Sequence, residues 1–158
     1  SYFKNCICKF CGEFGDPLTH KQIDDFIELS SKTFKDVLIF TNGSIKKSPW
    51  YKNQMKKNVN LHFHFGIDGI TDEINNLYRV GSNIEKVFKN LRSATEIDRK
   101  RVKWDYTIFK WNKHQVRDAQ KMAKTLNIEI NIRPNGKTSH PEIEKEIYDR
   151  AKNILQVL

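Results

Sequence analysis

Cys11-Gly12-Glu13-Phe14-Gly15-Asp16-Pro17 lies between an apolar run, Cys6 to Phe10, and a helix-start signal at Thr19. Two glycines flank a carboxylate and an aromatic ring, and Asp16-Pro17 closes the turn. Glycine permits positive φ and close approach of other backbone, whereas Pro17 fixes its own φ and drives Asp16 into an extended conformation. A strand ending in such a turn delivers backbone N–H and C=O groups to the C-terminal edge of a sheet, where α/β folds bind ligands. Spacing alone is also compatible with a plain strand-to-helix turn, so the meaning of the stretch depends on the other strand ends.

The same alternation repeats along the chain. The spacing predicts strands at Asn5–Cys11, Asp36–Phe40, Val59–Ile67, Val102–Phe109 and Ile128–Ile132. Between them fall helices with an apolar stripe, each opened by a capping signal. These signals are Thr19 with Gln22, Ser48-Pro49, Ser82 with Glu85, and Asn112 with Gln115. A last helix is expected from Ser139-His140-Pro141, with Ile143, Ile147, Ala151, Ile154 and Leu155 on one side. Strand–helix alternation through short Gly/Asn/Asp turns predicts an α/β fold, a parallel sheet with right-handed crossovers. A doubly wound sheet and an incomplete (β/α) barrel both satisfy it. Eight βα units take about 250 residues, so a complete barrel is excluded at 158 residues.

Composition narrows the setting. The chain is 38% hydrophobic, enough for one cored domain over residues 1–158, and no run of about 18 apolar residues predicts a membrane span. Three cysteines within the first 11 residues do not form a disulfide framework, so a cytoplasmic setting is expected. The net charge of +9 favours anionic partners, but it is spread along the chain. One reading that follows is a non-catalytic basic module binding nucleotide or nucleic acid at the strand C-terminal edge. Its support is the charge with interleaved Trp50, Tyr51, Trp104 and Trp111.

Several side chains invite chemistry. Cys6-x-Cys8-x-x-Cys11 offers thiolates for a metal, but in an extended strand Cys6 and Cys8 face one side and Cys11 the other. His62 and His64 share parity with Gly66 and Asp68, opposite Leu61, Phe63 and Phe65. They read as hydrogen-bonded polar residues of a barrel interior beneath the strand-end site. Arg79 is placed either to orient an anionic group or to pair with Asp72 or Glu73.

Taken together, the strand ends resemble a radical S-adenosylmethionine (radical SAM) domain over about residues 5 to 134. Cys11 to Leu18 is similar to that family's Gly-Gly-Glu-Pro turn, in the variant with an aromatic and a Gly-Asp-Pro ending. Phe40-Thr41-Asn42-Gly43, Gly66-Ile67-Asp68-Gly69, Tyr78-Arg79-Val80-Gly81 and Asn112 resemble its later strand-end elements, in order. The resemblance implies a partial (β/α)6 barrel. It also implies reductive cleavage of S-adenosylmethionine by a 4Fe-4S cluster, giving a 5′-deoxyadenosyl radical that abstracts hydrogen from an unknown substrate. Gly12, Glu13, Gly15, Asp16 and Pro17 would then meet the methionine amino group, largely through backbone. Thr41, Asn42 and Gly66 would border the cofactor, Asp68 would lie at the mouth, and Arg79 beside it. The family's Cys-x-x-x-Cys-x-x-Cys loop is not found in this sequence, and Gly66 stands where many members carry Ser. The expectation is therefore a piece of a longer enzyme, with first strand and cluster ligands upstream, a separate reductant, and little activity of its own.

Overall fold

Asp36-Val37-Leu38-Ile39-Phe40-Thr41 alternates half-buried with buried side chains, the pattern of a strand covered on one face. A computed structural model of the chain describes residues 3–12 and 15–135. Its strands are β1 (Ile7–Phe10), β2 (Asp36–Thr41), β3 (Leu61–Gly66), β4 (Val102–Ile108) and β5 (Glu129–Pro134). The helices are α1 (Ile23–Thr33), α2 (Ser48–Lys57), α3 (Asp72–Tyr78), α4 (Ile84–Thr95) and α5 (Val116–Leu126). All strand pairs are parallel and the sheet order is β1-β2-β3-β4-β5. Right-handed crossovers in an unreversed order put the crossover helices α1, α2, α4 and α5 on one face, while Ile74 and Leu77 of α3 pack in a separate cluster with Phe109 and Trp111 past the end of β4. A doubly wound sheet reverses its order at a switch point. The order here does not reverse, so the winding is that of an incomplete (β/α) barrel.

The core confirms the one-sided cover. Val37, Ile39, Leu61, Phe63, Phe65, Val102, Trp104 and Tyr106 are buried together with Ile23, Ile27, Tyr51, Met55, Val87, Leu91, Ala119 and Ala123 from the helices. Trp104 and Tyr51 are fully buried and Trp111 nearly so, so these rings build the core rather than an exposed stacking surface. Opposite parity leaves Asp36, His62, His64, Lys103, Asp105, Thr107, Asn131 and Arg133 on the concave face.

Several helix starts differ from expectation. Thr19 does not cap α1. Asp16 caps a single 3-10 turn, Pro17–Thr19, and the Thr19 hydroxyl donates to the Asp16 carbonyl. Helix α1 then starts afresh at Ile23, with Asp24 and Asp25 in its first turn complementing the helix dipole. The cap of α4 is Asn83, not Ser82: Asn83 Oδ1 accepts from Lys86 N, while Ser82 Oγ accepts from Asn75 Nδ2. Lys47 rather than Ser48 precedes α2, and Ser48 Oγ bonds Asn90 instead. Helix α3 has no counterpart in the sequence reading. Strands β1 and β3 are shorter than expected, since Cys6 and Val59 lie before the first paired residues. The helix expected from Ser139 lies outside the described residues.

Gly43, with φ of 76°, turns the chain out of β2. A Cβ here would lie 2.8 Å from Phe65 Cδ1 and 3.1 Å from Val87 Cγ1. Gly81 has the same φ but nothing within 4 Å of such a Cβ. Gly81→Ala is expected to cost about 1–2 kcal/mol, the left-handed backbone penalty alone. Gly43→Ala adds overpacking, for a total of about 2–5 kcal/mol. Urea denaturation of both variants measures the difference, and equal losses would remove the packing account.

Candidate functional site

The C-terminal strand ends of β1 to β5 surround a cavity of about 530 Å³. Cys11, Gly12, Gly15, Thr41, Asn42, His64, Gly66, Arg79, Asp105 and Arg133 contribute to its wall. Two hydrogen-bonded hubs hold that wall in shape.

Asp16 is the first. Its Oδ1 accepts from Leu18 N at 2.9 Å, and its Oδ2 accepts from Thr41 Oγ1 and from Asn42 N, both at 2.7 Å. Thr41 Oγ1 in turn accepts from Gly43 N at 3.0 Å. One carboxylate thus ties the turn after β1 to the end of β2. Its side chain is occupied with the chain itself, so the wall here offers mainly backbone to a ligand. Gly12 and Gly15 border the cavity, Pro17 stands behind it in the 3-10 turn, and Glu13 lies outside the described residues.

Asp68 is the second hub, and it is 1% exposed. Oδ1 accepts from Thr107 N at 2.7 Å and Oδ2 from Arg79 Nε at 2.8 Å. Its backbone N donates to Asn75 Oδ1, and its carbonyl accepts from Asn112 Nδ2. Asp68 therefore sits behind the wall, where it aims Arg79. The partner of Arg79 is this residue, not Asp72, whose carboxylate instead accepts from Ile84 N. Arg79 passes over Gly66, where a Cβ would lie 2.7 Å from Nη2. Asn112 was expected as a helix cap but makes no capping bond. Its Nδ2 donates to the Asp68 and Thr107 carbonyls, and its Oδ1 accepts from Phe109 N. Burial, with the Asp68 charge nearby, holds the Tyr106 phenol above its ordinary pKa.

A third group was read only in part: His64 was expected as a hydrogen-bonded residue of the interior beneath the site, and it is one, but its partners Asp105 and Asn131 were not singled out. On the cavity floor, His64 Nδ1 lies 3.0 Å from Asp105 Oδ2, Asn131 Nδ2 donates to Asp105 Oδ1 at 2.9 Å, and Arg133 Nη2 is 3.8 Å from the same oxygen. Burial alone would raise the Asp105 carboxyl. Hydrogen bonds from His64 and Asn131, with the Arg133 guanidinium, outweigh burial and hold it below the ordinary range. The signal was available as parity: Asp105, Asn131 and His64 are polar residues at alternating positions that face one side. His62 pairs with Asp36 at 3.3 Å lower on the same face.

The cysteines are not brought together. Cys8 turns toward Ser30 on the helix side, at a long 3.8 Å, whereas Cys11 borders the cavity. Among the described residues, no three His, Cys, Asp or Glu side chains converge as a metal-ligand set. No described helix is long and apolar enough to cross a membrane.

Fold and site together define a parallel (β/α) half-barrel with a polar cavity at its strand C-terminal edge. Two solved structures share the fold. Streptococcus suis SuiB bound to S-adenosylmethionine superposes with a TM-score of 0.69 at 11% identity, over 93% of this chain and 35% of that one. Polyhistidine-tagged anSMEcpe with bound AdoMet superposes with a TM-score of 0.63 at 18% identity, over 98% of this chain and 46% of that one. The chain thus spans less than half the length of either. No family model matches the sequence, and no curated protein matches it either.

Proposed function

We propose that this chain is the S-adenosylmethionine-binding part of a radical SAM enzyme, with the strand-end cavity as the cofactor's seat. The observation that carries the reading is the convergence of Gly12, Gly15, Thr41, Asn42, Gly66 and Arg79 on one cavity. These are among the residues that the family resemblance implies should meet the cofactor. The S-adenosylmethionine in the two structures of the same fold supports it further.

The wall suits the cofactor chemically. A cavity of about 530 Å³ is of the size that encloses a cofactor. Its glycine-rich backbone suits an ammonium and hydroxyls, and the Arg79 guanidinium suits a carboxylate. When bound, S-adenosylmethionine supplies on one-electron reduction the radical chemistry that removes a hydrogen atom from a substrate. Asp16 keeps the loop carrying Gly12 and Gly15 in register with Thr41 and Asn42, and Asp68 holds Arg79 over Gly66. The described cysteines do not fit an iron–sulfur cluster, because Cys8 and Cys11 face opposite sides of the sheet. Cluster ligands and reductant belong to the remainder of the longer enzyme in this reading.

Calorimetric titration with S-adenosylmethionine tests the seat. Saturable binding is expected with Kd below about 1 mM, a modest −4 kcal/mol for a seat without its iron. Asp16→Ala should weaken it about tenfold or more, since loss of charge-assisted hydrogen bonds of roughly 1.5–3 kcal/mol frees both loops. Absence of saturable binding, or binding unchanged in Asp16→Ala, would overturn the assignment.

A further inference from the structure

The floor of the cavity has a chemistry the cofactor reading leaves unused. His64 is held on two sides: Asp105 engages Nδ1 at 3.0 Å, and the Phe40 ring lies against the imidazole with centroids 4.5 Å apart. Asp105 is itself fixed by Asn131. The His64 side chain is 12% exposed, and that exposure is to the cavity it borders. An ionised carboxylate accepts a hydrogen bond from Nδ1–H, and the bond made by one ring nitrogen sets the state of the other. In the neutral ring Nε2 is therefore the lone-pair nitrogen, on the side of the imidazole away from Asp105. An oriented, carboxylate-backed imidazole of this kind accepts a hydrogen bond from an O–H or N–H group. Close by, Arg133 reaches only 3.8 Å from Asp105 Oδ1 and its side chain is 60% exposed. Its guanidinium keeps donors for an anionic oxygen, which the planar fork binds in pairs.

We propose that His64 and Arg133 form the substrate subsite of the cavity, and that the substrate class is a carboxylate with a neighbouring O–H or N–H donor. His64 Nε2 accepts the hydrogen bond from that donor, Arg133 holds the carboxylate, and Asp105 acts through His64 as the positioning residue. The assignment rests on the cofactor reading only for its description as a substrate subsite, and the hydrogen-bonded seat stands on its own geometry. Hydroxy acids and amino-acid carboxylates satisfy the two contacts.

The probe is glycolate, which has both groups, against methoxyacetate, which keeps the carboxylate but has no O–H donor. Nitrogen-15 labelling of histidine in the full chain reads both imidazole nitrogens of His64 directly. The expected result is an unprotonated Nε2 in the neutral ring and a saturable shift of that nitrogen with glycolate. Methoxyacetate should leave it in place. Arg133→Gln, at an exposed side chain whose loss leaves the core intact, should weaken the glycolate response about tenfold or more, as expected for a charge-assisted bond. Equal shifts with both acids would overturn the proposal, as would no shift with glycolate at about 0.1 M, where a gain of only ~1.4 kcal/mol is detectable. The assignment is also overturned if S-adenosylmethionine produces the same Nε2 shift and excludes glycolate, because the nitrogen then serves the cofactor. Failure of S-adenosylmethionine to bind while the glycolate response persists would overturn the proposed function and sustain this seat.

Discussion

Asp68→Ala is expected to destabilise the chain by about 3 kcal/mol, the lower end of the range for removing one partner of a buried ion pair. The lower end applies because Arg79 is 29% exposed, so water takes up part of the uncovered guanidinium. Two losses combine. Thr107 N, now bonded at 2.7 Å, is left without its acceptor at the end of β4, and Arg79 Nε loses its carboxylate. For a chain of this size each kcal/mol lowers the melting temperature by about 2–4 °C, so a fall of roughly 6–12 °C should be read by calorimetry. Asp68→Asn keeps one oxygen for Thr107 N and should lose less. A fall of less than ~2 °C in Asp68→Ala would show that the hub does not anchor the wall. The variant also releases Arg79 from over Gly66. If the cavity is the cofactor's seat as proposed, a structural fault behind the wall therefore reaches its surface without any contact from Asp68 to the ligand.

This division between wall and hub marks the limit of what the sequence could say. The βα alternation was legible because apolar runs such as Asp36–Phe40 sit between Gly and Asn turns, and each strand so read is present. Sheet order was not legible. Nothing in the runs themselves separates a doubly wound sheet from a barrel-like winding, since that depends on which side each crossover takes. The strand-end residues were legible as a set, because parallel strands all end at one edge. Their individual geometry was not. Asp16 was expected to serve a ligand largely through backbone and Asp68 to lie at the mouth, but neither reading showed that both carboxylates spend their oxygens on backbone N–H groups and on partners 11 to 39 positions away in sequence, such as Arg79, Thr41 and Thr107. Long-range pairing of that kind leaves no local pattern. The helix caps failed for a related reason: Ser82 and Asn112 have side chains suited to capping, but tertiary partners Asn75, Asp68 and Thr107 outcompete the local bond.

Asn112 shows how strongly such a partner can be specified. It is fully buried, and its amide is oriented by three backbone groups, two carbonyls on Nδ2 and one N–H on Oδ1. Asn112→Ala removes all three bonds at about 1–3 kcal/mol for each buried group left unpaired, partly relieved by relaxation, so a loss of roughly 3 kcal/mol is expected. Asn112→Asp has nearly the same shape and should cost more, about 4 kcal/mol or above at neutral pH, because a carboxylate oxygen replaces a donor opposite the Asp68 and Thr107 carbonyls. Protonating that oxygen restores one donor, so the folded-state pKa of the new carboxyl is raised above its unfolded value of about 3.9. The folded state then binds more protons than the unfolded state between those two values. Stability of Asn112→Asp relative to the parent chain consequently falls as pH rises through that window and recovers as pH is lowered toward about 4. Asn112→Ala carries no such group and its deficit should be the same at both ends. Urea denaturation of the parent and both variants at about pH 5 and pH 7, on either side of the ordinary titration range of a perturbed carboxyl, separates the two. A deficit for Asn112→Asp that does not change with pH would mean that its carboxylate finds water, and that the clasp between β3 and β4 opens far more readily than its geometry implies.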